Sequence, residues 1–175
     1  MKLPLAYYGN PILRKKGAPV LEITDEIRNL VNDMAETLYD HENGIGLAAP
    51  QVHQSLALFI TRIPYRDEDG TWHDGEVQVF INPKILSVSD ELSIREEGCL
   101  SIPGIYGEVV RPHSVRVTAT DLEGNTFEME ESGLGARCIL HENDHINGVL
   151  FFDRMHGKAR KNLEPKLQAI KKKYN

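Results

Sequence analysis

The pattern of apolar and polar positions predicts three helices around a β-rich middle. Apolar residues recur at helical spacing from about Thr24 to about His41, with Thr24 as the N-cap. Asn43-Gly44 ends this helix, because both residues tolerate a left-handed C-cap. A second periodic stretch runs from about Gly133 to about Asn147, and a third helix is predicted to begin near Glu164.

Short apolar runs between the first two helices predict β-strands. Leu56–Thr61, Val77–Asn82 and Ile85–Val88 indicate three separate strands. Alternation at Val115–Ala119 and again around Phe127, on either side of a polar turn, predicts a hairpin. Because the elements do not alternate as βαβ units, the order favours an α+β fold over a doubly wound sheet.

Length and composition narrow the class of protein. A chain of 175 residues with 41% hydrophobic and 26% charged residues is expected to form one globular domain, residues 1–175. Its formal net charge of −6 argues against a nucleic-acid-binding surface, and no direct nucleic-acid motif is found. No apolar run approaches the roughly 18 residues of a membrane span, and the first residues do not read as a signal or transit peptide. The expected location is therefore the cytoplasm, away from membranes.

The second helix contains the first candidate chemistry. His141-Glu142-Asn143-Asp144-His145 is an H-E-x-x-H segment, in which two imidazoles four residues apart share one helix face. They can hold one metal ion while Glu142 reaches water on the open side. The alternative is a chance pentapeptide whose histidines belong to the core or to the surface.

A catalytic metal needs a third protein ligand, and two residues are candidates. Glu164, downstream of the segment, would make the chain a zinc endopeptidase. Cys99, in Glu96-Glu97-Gly98-Cys99-Leu100-Ser101, offers a thiolate that suits zinc or ferrous iron. A third possibility is a non-catalytic domain whose metal only stabilises the fold.

A glycine-containing segment follows the first helix. In Gly44-Ile45-Gly46-Leu47-Ala48-Ala49-Pro50-Gln51, the two glycines allow another backbone to approach closely. An extended peptide could pair with this segment through its main chain, and Gln51 would offer an amide donor. The alternative is an ordinary loop with a solvated Gln51.

Together these three segments resemble the peptide deformylases. That family is marked by G-x-G-x-A-A-x-Q, E-G-C-L-S and H-E-x-D-H, and all three occur here in that order without a mismatch. The likeness extends from about Tyr8 to about Phe152.

The resemblance implies an activity and a set of residue roles. The reaction would remove the formyl group from the N-terminal formylmethionine of newly made polypeptides, with Glu142 as general base. The one divalent ion would natively be ferrous iron, which zinc or nickel can replace. Its ligands would be Cys99, His141 and His145.

The remaining roles concern the substrate. Gln51 and the backbone N–H of Leu100 would stabilise the oxyanion. The peptide would pair with a strand formed by Gly44, Ile45 and Gly46. The methionine pocket would be lined by Leu134, Arg137 and Cys138, and Tyr106 would contact residues beyond the methionine. Arg137 is expected to line this pocket with its stem while its charged head stays in water.

Three further expectations complete the prediction. Mixed or antiparallel strands should pack around a central metal-binding helix, with one helix N-terminal and one C-terminal to them. Glu97 and Arg111 are expected to form a pair that fixes the Cys99 turn, the alternative being two independent surface charges. The partners would be N-formylmethionyl peptides or nascent chains, with the protein acting close to the ribosome.

Overall fold

Three helices and nine strands make up the chain, which a computed structural model describes from Met1 to Asn175. The helices are α1 (Asp25–Tyr39), α2 (Leu134–Ile146) and α3 (Gly157–Tyr174). The strands are β1 (Gly46–Ala48), β2 (Leu58–Thr61), β3 (Tyr65–Arg66), β4 (Trp72–His73), β5 (Gln78–Val88), β6 (Leu92–Cys99), β7 (Ile102–Pro112), β8 (Ser114–Thr120) and β9 (Thr126–Ser132).

The strands form three antiparallel sheets. The largest has the order β1-β2-β5-β8-β9, while β3–β4 and β6–β7 are two-stranded. The predicted α+β class, with helices at both ends of the chain, is confirmed. The predicted β8–β9 hairpin is also present, with its strands in register from Ser114 opposite Ser132 to Thr120 opposite Thr126.

Helix α2 lies between two parts of the core. Ala136 and Ile139 pack with Phe80 and Val117 of the large sheet. A separate apolar cluster, which contains Phe151, fills the space beneath β7 and α3. His141 of α2 stacks against Phe151 of this cluster, with ring centroids 6.3 Å apart, so the helix that carries the H-E-x-x-H segment contacts packed side chains on both sides.

Strand β5 corrects one prediction. The two strands expected at Val77–Asn82 and Ile85–Val88 are one strand that continues through Pro83. Its pairing with β8 shifts between Ile81 and Lys84, and Asn82 there has a φ of +51°. The proline is tolerated because it sits at an irregularity of the ladder, where no strand hydrogen bond is required of it.

The β6–β7 hairpin was not predicted over its full length, and its side chains explain why. Apolar residues point to solvent, with Leu92 60% and Ile94 65% exposed, while Glu97 and Arg111 point inward and are buried. The usual alternation of buried apolar and exposed polar residues is therefore reversed on the β6 strand of this hairpin, whereas β7 buries Ile102, Ile105 and Val109.

The C-terminal helix begins earlier than predicted, at Gly157 rather than near Glu164, so Pro165 lies inside it and not in its first turn. Pro165 is on the exposed side, where water can bond the carbonyl that lacks a donor. Leu167 is fully buried and anchors the helix to the core. None of the three helices combines the length and the apolar character required to cross a bilayer.

Candidate active site

Three potential metal ligands meet where β6 ends against α2. Cys99 closes β6, while His141 and His145 lie one turn apart on α2. One ligand atom from each residue lies within 4.8 Å of the other two, and Cys99 Sγ is 3.3 Å from His145 Nε2. A thiolate with two imidazoles is a donor set that fits zinc or ferrous iron.

The two histidines have different surroundings. His141 Nδ1 lies 2.8 Å from Glu97 Oε1, which leaves Nε2 as the ring nitrogen that faces Cys99. Burial opposes protonation of His141, but hydrogen bonds with Cys99 and Glu97 outweigh it and raise its pKa well above the usual value. His145 Nδ1 is buried without a partner, and burial lowers the pKa of this ring well below the usual value. His145 is thus held in the neutral form that a metal ligand requires.

Glu97 is the centre of a buried ionic cluster behind Cys99. Arg111 bonds it twice, with Nε 2.6 Å from Oε2 and Nη2 3.0 Å from Oε1, so the predicted pair is present. Arg111 Nη1 also reaches Asp144 on α2 at 2.9 Å. Burial of Glu97 opposes ionisation, but the hydrogen bonds from His141 and Arg111 prevail and hold its pKa below the usual range.

Arg137 corrects the expectation that its charged head stays in water. The side chain is 6% exposed, and its Nη1 lies 2.6 Å from Glu97 Oε2. Because a buried guanidinium needs partners for its donors, the head turns inward to the carboxylate rather than outward. Arg137 still lines the cleft, as expected.

Glu142 lies on the cleft side of α2 and is almost completely enclosed. It is 4% exposed, and its Oε1 has no hydrogen-bond partner within the protein. Burial, which disfavours the charged form, raises its pKa to about 7. A carboxylate in this state can take up or release a proton near neutral pH.

Gln51 is buried and bonded at both ends of its amide, which excludes the solvated-loop alternative. Its Oε1 accepts from the N–H of Ala48 at 2.9 Å. Its Nε2 donates to Ser101 Oγ at 3.1 Å and lies 3.5 Å from Cys99 Sγ. The backbone N–H of Leu100, next to Cys99, donates to no group of the protein. Two donors therefore lie close to the thiol.

Strand β1 is the edge of the large sheet and borders the cleft. The N–H of Arg62 donates to the carbonyl of Ile45 at 2.6 Å, and Gly46 lies opposite Thr61. Because backbone groups alternate in direction along an antiparallel ladder, the N–H and C=O of Gly46 point away from β2. They face the open side of the sheet.

A cleft of about 550 Å³ brings most of the predicted residues together. Its lining includes Gly44, Ile45, Gly46, Gln51, Cys99, Leu100, Tyr106, Leu134, Arg137, Cys138, His141 and Glu142. His145 lies behind this lining and is 1% exposed. The cleft is also lined by residues that belong to none of the three motifs and were not predicted. They include His41, Glu42, Asn43, Arg95, Glu96, Pro103 and Gly104.

Cys138 forms part of the cleft wall. Its Sγ is 3.4 Å from the carbonyl oxygen of Ile45, and burial, followed by the charge of Glu142, raises the pKa of the thiol well above its usual value. A thiol held in its neutral form is a poor nucleophile, which disfavours Cys138 as a reactant.

The family model for polypeptide deformylase matches residues 2–161. The chain belongs to the peptide deformylase family. It is 52% identical over 141 residues to the peptide deformylase of Bradyrhizobium diazoefficiens, which covers 81% of this chain and 80% of that protein. It is 54% identical over 141 residues to the enzyme of Bradyrhizobium sp. strain ORS 278, covering 81% and 79%.

Solved structures of peptide deformylases are similar to this chain as well. A plant peptide deformylase superposes with a TM-score of 0.89 at 42% identity, over 98% of this chain and 90% of the other. The peptide deformylase of Legionella pneumophila gives 0.84 at 39% identity, over 98% and 96%. The enzyme of Synechococcus elongatus, solved in complex with actinonin, gives 0.82 at 41% identity, over 94% and 85%.

Proposed function

We propose that this deformylase hydrolyses the formyl amide of N-formylmethionyl peptides and nascent chains with one divalent metal ion and Glu142 as general base. The observation that carries the proposal is the meeting of Cys99, His141 and His145 beside the buried Glu142 carboxylate. Family membership favours this chemistry over any other use of the same residues.

The ligands of the ion would be Cys99 Sγ and one nitrogen of each histidine. When bound, a divalent ion here supplies an activated water, with its pKa lowered to about 7, and a positive charge beside the formyl oxygen. Ferrous iron is the native ion that the family resemblance implies, and zinc or nickel would substitute. The glutamate on His141 Nδ1 is the kind of partner that fixes the orientation of a ligating imidazole.

Glu142 is proposed to move the proton. Its buried carboxylate takes a proton from the attacking water and later gives it to the nitrogen of the departing methionine. A pKa of about 7 places both directions of transfer within reach at neutral pH.

Gln51 and Leu100 are proposed to stabilise the negative charge that develops on the formyl oxygen. Gln51 Nε2 is fixed by Ser101 and by the bond that its own Oε1 accepts, so the donor needs no reorientation. Preorganised donors of this kind stabilise a transition state more than its ground state.

The strand expected at Gly44, Ile45 and Gly46 begins only at Gly46, since β1 is Gly46–Ala48. The substrate backbone is proposed to add at this end of β1, where the backbone groups of Gly46 are open, with Gly44 and Ile45 leading into the strand. The methionine side chain would enter between Leu134 and Cys138, against the stem of Arg137. Tyr106, 60% exposed at the rim, would contact the residues that follow.

The endopeptidase alternative requires Glu164 as the third metal ligand, and the position of Glu164 does not support that role. Glu164 lies on α3, where it pairs with Arg160 at 2.6 Å and accepts a hydrogen bond from Gln168 at 2.6 Å. Cys99, not Glu164, shares the candidate metal cluster with the two histidines.

The decisive experiment measures bound metal, melting temperature and formate release from formyl-Met-Ala in three variants. Glu142→Ala should keep a full equivalent of metal and lose nearly all activity, because its carboxylate handles the proton and does not ligate. Cys99→Ala should lose metal affinity first. Glu130→Ala, which removes an exposed carboxylate from β9, is the matched control and should behave as the parent.

Three outcomes would count against the proposal. A metal-free Glu142→Ala protein would make Glu142 a ligand. A parent that binds metal but releases no formate would make the metal structural. Cleavage of internal peptide bonds without deformylation would favour an endopeptidase.

We also propose that the protein works in the cytoplasm close to the ribosome, because formylated nascent chains arise there. Helix α3 supports this with an exposed basic surface that suits an anionic partner. Its cations include Lys158, Lys161, Lys166, Lys171, Lys172 and Lys173. Salt-sensitive co-sedimentation with ribosomes that weakens when these lysines are replaced would test this location.

A further inference from the structure

The guanidinium of Arg137 donates its hydrogen bonds to the β6–β7 hairpin and not into the cleft. Nη1 donates to Glu97 Oε2 at 2.6 Å and to the carbonyl of Val109 at 2.9 Å. Nη2 donates to the carbonyl of Ser93 at 2.9 Å and to its Oγ at 3.1 Å. The nearly buried guanidinium thus makes four hydrogen bonds, all of them to groups of the protein itself.

These contacts join the two halves of the metal-ligand set. Arg137 lies one helical turn before His141 on α2, whereas Ser93 and Glu97 lie on β6, the strand that ends at Cys99. The guanidinium therefore fixes β6 at two positions along its length. It does so directly against the helix that carries both histidines.

A second arginine makes a complementary connection. Arg111 on β7 bonds Glu97 and also Asp144 of α2. Asp144 in turn accepts two hydrogen bonds from Arg154 at 2.8 and 3.2 Å. Arg137 differs from Arg111 because it reaches the backbone of both hairpin strands, at Ser93 and Val109. Its contacts resist sliding of the hairpin along α2, whereas a carboxylate pair alone can follow such a movement.

We propose that Arg137 is a positioning residue that holds the Cys99 strand in register with the His141–His145 helix, so that the three ligands are assembled before metal binds. This inference rests on the proposed metal-dependent function. It separates Arg137 from Leu134 and Cys138, whose roles concern the methionine side chain.

Arg137→Met tests the inference, because methionine keeps an apolar chain beside the cleft and removes every donor. Replacing a direct partner of a metal-ligating residue typically lowers metal affinity by about 10–100-fold. Arg137 acts one step further out, through Glu97 on His141, so a loss at the lower end of that range, about 10-fold, is expected here. Ion loss to a chelator should accelerate correspondingly. With metal in excess, KM for formyl-Met-Ala and the preference for methionine over norleucine at the first residue should change less than the metal affinity does, because methionine keeps an apolar stem beside the cleft.

Cobalt provides a readout that does not depend on activity. Titration with Co²⁺, followed through the thiolate-to-cobalt charge-transfer absorbance, reports engagement of Cys99 directly. The saturation midpoint should move to higher cobalt concentration in Arg137→Met. Arg137→Lys, which keeps the charge and can keep part of the contacts, should lie between the parent and Arg137→Met.

The control is Arg116→Met, which removes an arginine paired with Glu128 on the exposed face of β8–β9. Its cobalt midpoint should match the parent. Ser93→Ala deletes only the 3.1 Å contact to Oγ, so it should fold and give a smaller shift in the same direction. This variant and Arg137→Lys decide the question if Arg137→Met does not fold.

The proposal is overturned if the Arg137 and Ser93 variants keep the parental cobalt midpoint and chelator rate. It is also overturned if their main change is in KM or in side-chain preference, since Arg137 would then act as pocket wall. Failure of the parent to bind cobalt through Cys99 would instead refute the proposed function.

Discussion

Replacing Gly46 by alanine would test how closely β1 is fitted to Glu142. A Cβ at this position would lie 2.6 Å from Glu142 Oε2, 2.8 Å from Glu142 Cγ and 2.9 Å from Cys138 Sγ. Since non-bonded heavy atoms settle at about 3.5 Å or beyond, the methyl group would overlap these atoms by about 0.6–0.9 Å. Helix α2 is packed on both sides and cannot retreat, so the carboxylate must turn away from its position.

The expected cost follows from this displacement. A shift of about 1 Å in a reacting group can lower the rate about 10²-fold, so kcat for formyl-Met-Ala should fall by that order. Overpacking a filled site destabilises by about 1–3 kcal/mol, which a lowered melting temperature would report. The metal content should be unchanged, because no proposed ligand lies among the three nearest atoms.

Gly44→Ala provides a comparison within the same segment. Its Cβ would come nearest to Leu38 Cδ1, at 2.8 Å, and this far end of a flexible side chain can rotate aside. Gly44→Ala should therefore act mainly on KM, while Gly46→Ala acts mainly on kcat. If Gly46→Ala retained kcat and raised KM alone, the glycine would serve the substrate's approach and not the placement of Glu142.

Four other variants or treatments give further predictions. Gln51→Leu should lower kcat about 10²–10³-fold with metal retained, as expected for loss of an oxyanion donor, and a change confined to KM would contradict this role. Arg111→Met should lower the free energy of unfolding by about 3–5 kcal/mol, because it leaves two buried carboxylates short of a partner, and denaturant titration showing a loss below about 1 kcal/mol would refute that. Asn82→Gly should be more stable than Asn82→Ala by about 1 kcal/mol. Both variants lose the two 2.8 Å hydrogen bonds to Val20, but only glycine adopts a φ of +51° freely. Equal melting temperatures of the two variants would contradict this. Removal of the metal with a chelator should lower the melting temperature, and adding the metal back should restore it, because a ligand that binds only the folded state stabilises that state. Cys99→Ala should show a much smaller change in melting temperature on the same treatment.

Helices α1 and α2 were the most predictable part of the fold, whereas the start of α3 was placed too late. In α1, Thr24 caps the helix through a hydrogen bond from the N–H of Ile27, and the apolar spacing behind it is regular. Helix α2 begins and ends within one residue of its prediction. Both carry their signals locally, in caps and in the 3.6-residue period.

The strands depend on partners that the local sequence does not show. From the local sequence, Pro83 predicts the end of a strand. The strand continues because β8 pairs with it on both sides of the irregularity. On β6 the apolar Ile94 is exposed while Glu97 is buried, and only the cations supplied by distant residues make that arrangement stable. The division of the chain as one domain, residues 1–175, stays a prediction.

The candidate site divides in the same way. Motifs indicated the triad, Glu142 and Gln51, because each needs particular residue types at fixed spacing. The inward turn of Arg137 followed from no motif, since it requires Ser93 and Glu97 from a strand whose pattern is reversed.

The free edge of β1 has a consequence for self-association. An open strand edge accepts any extended chain, including a strand of another copy, and long exposed edges are routes to aggregation. Here the edge strand β1 has only three residues, and Leu47 and Ala48 among them are fully buried. Arg62 further occupies the carbonyl of Gly44, with its Nη2 at 3.2 Å. The short peptide proposed to pair at Gly46 therefore needs only this edge, whereas a second copy finds too little of it to extend a sheet.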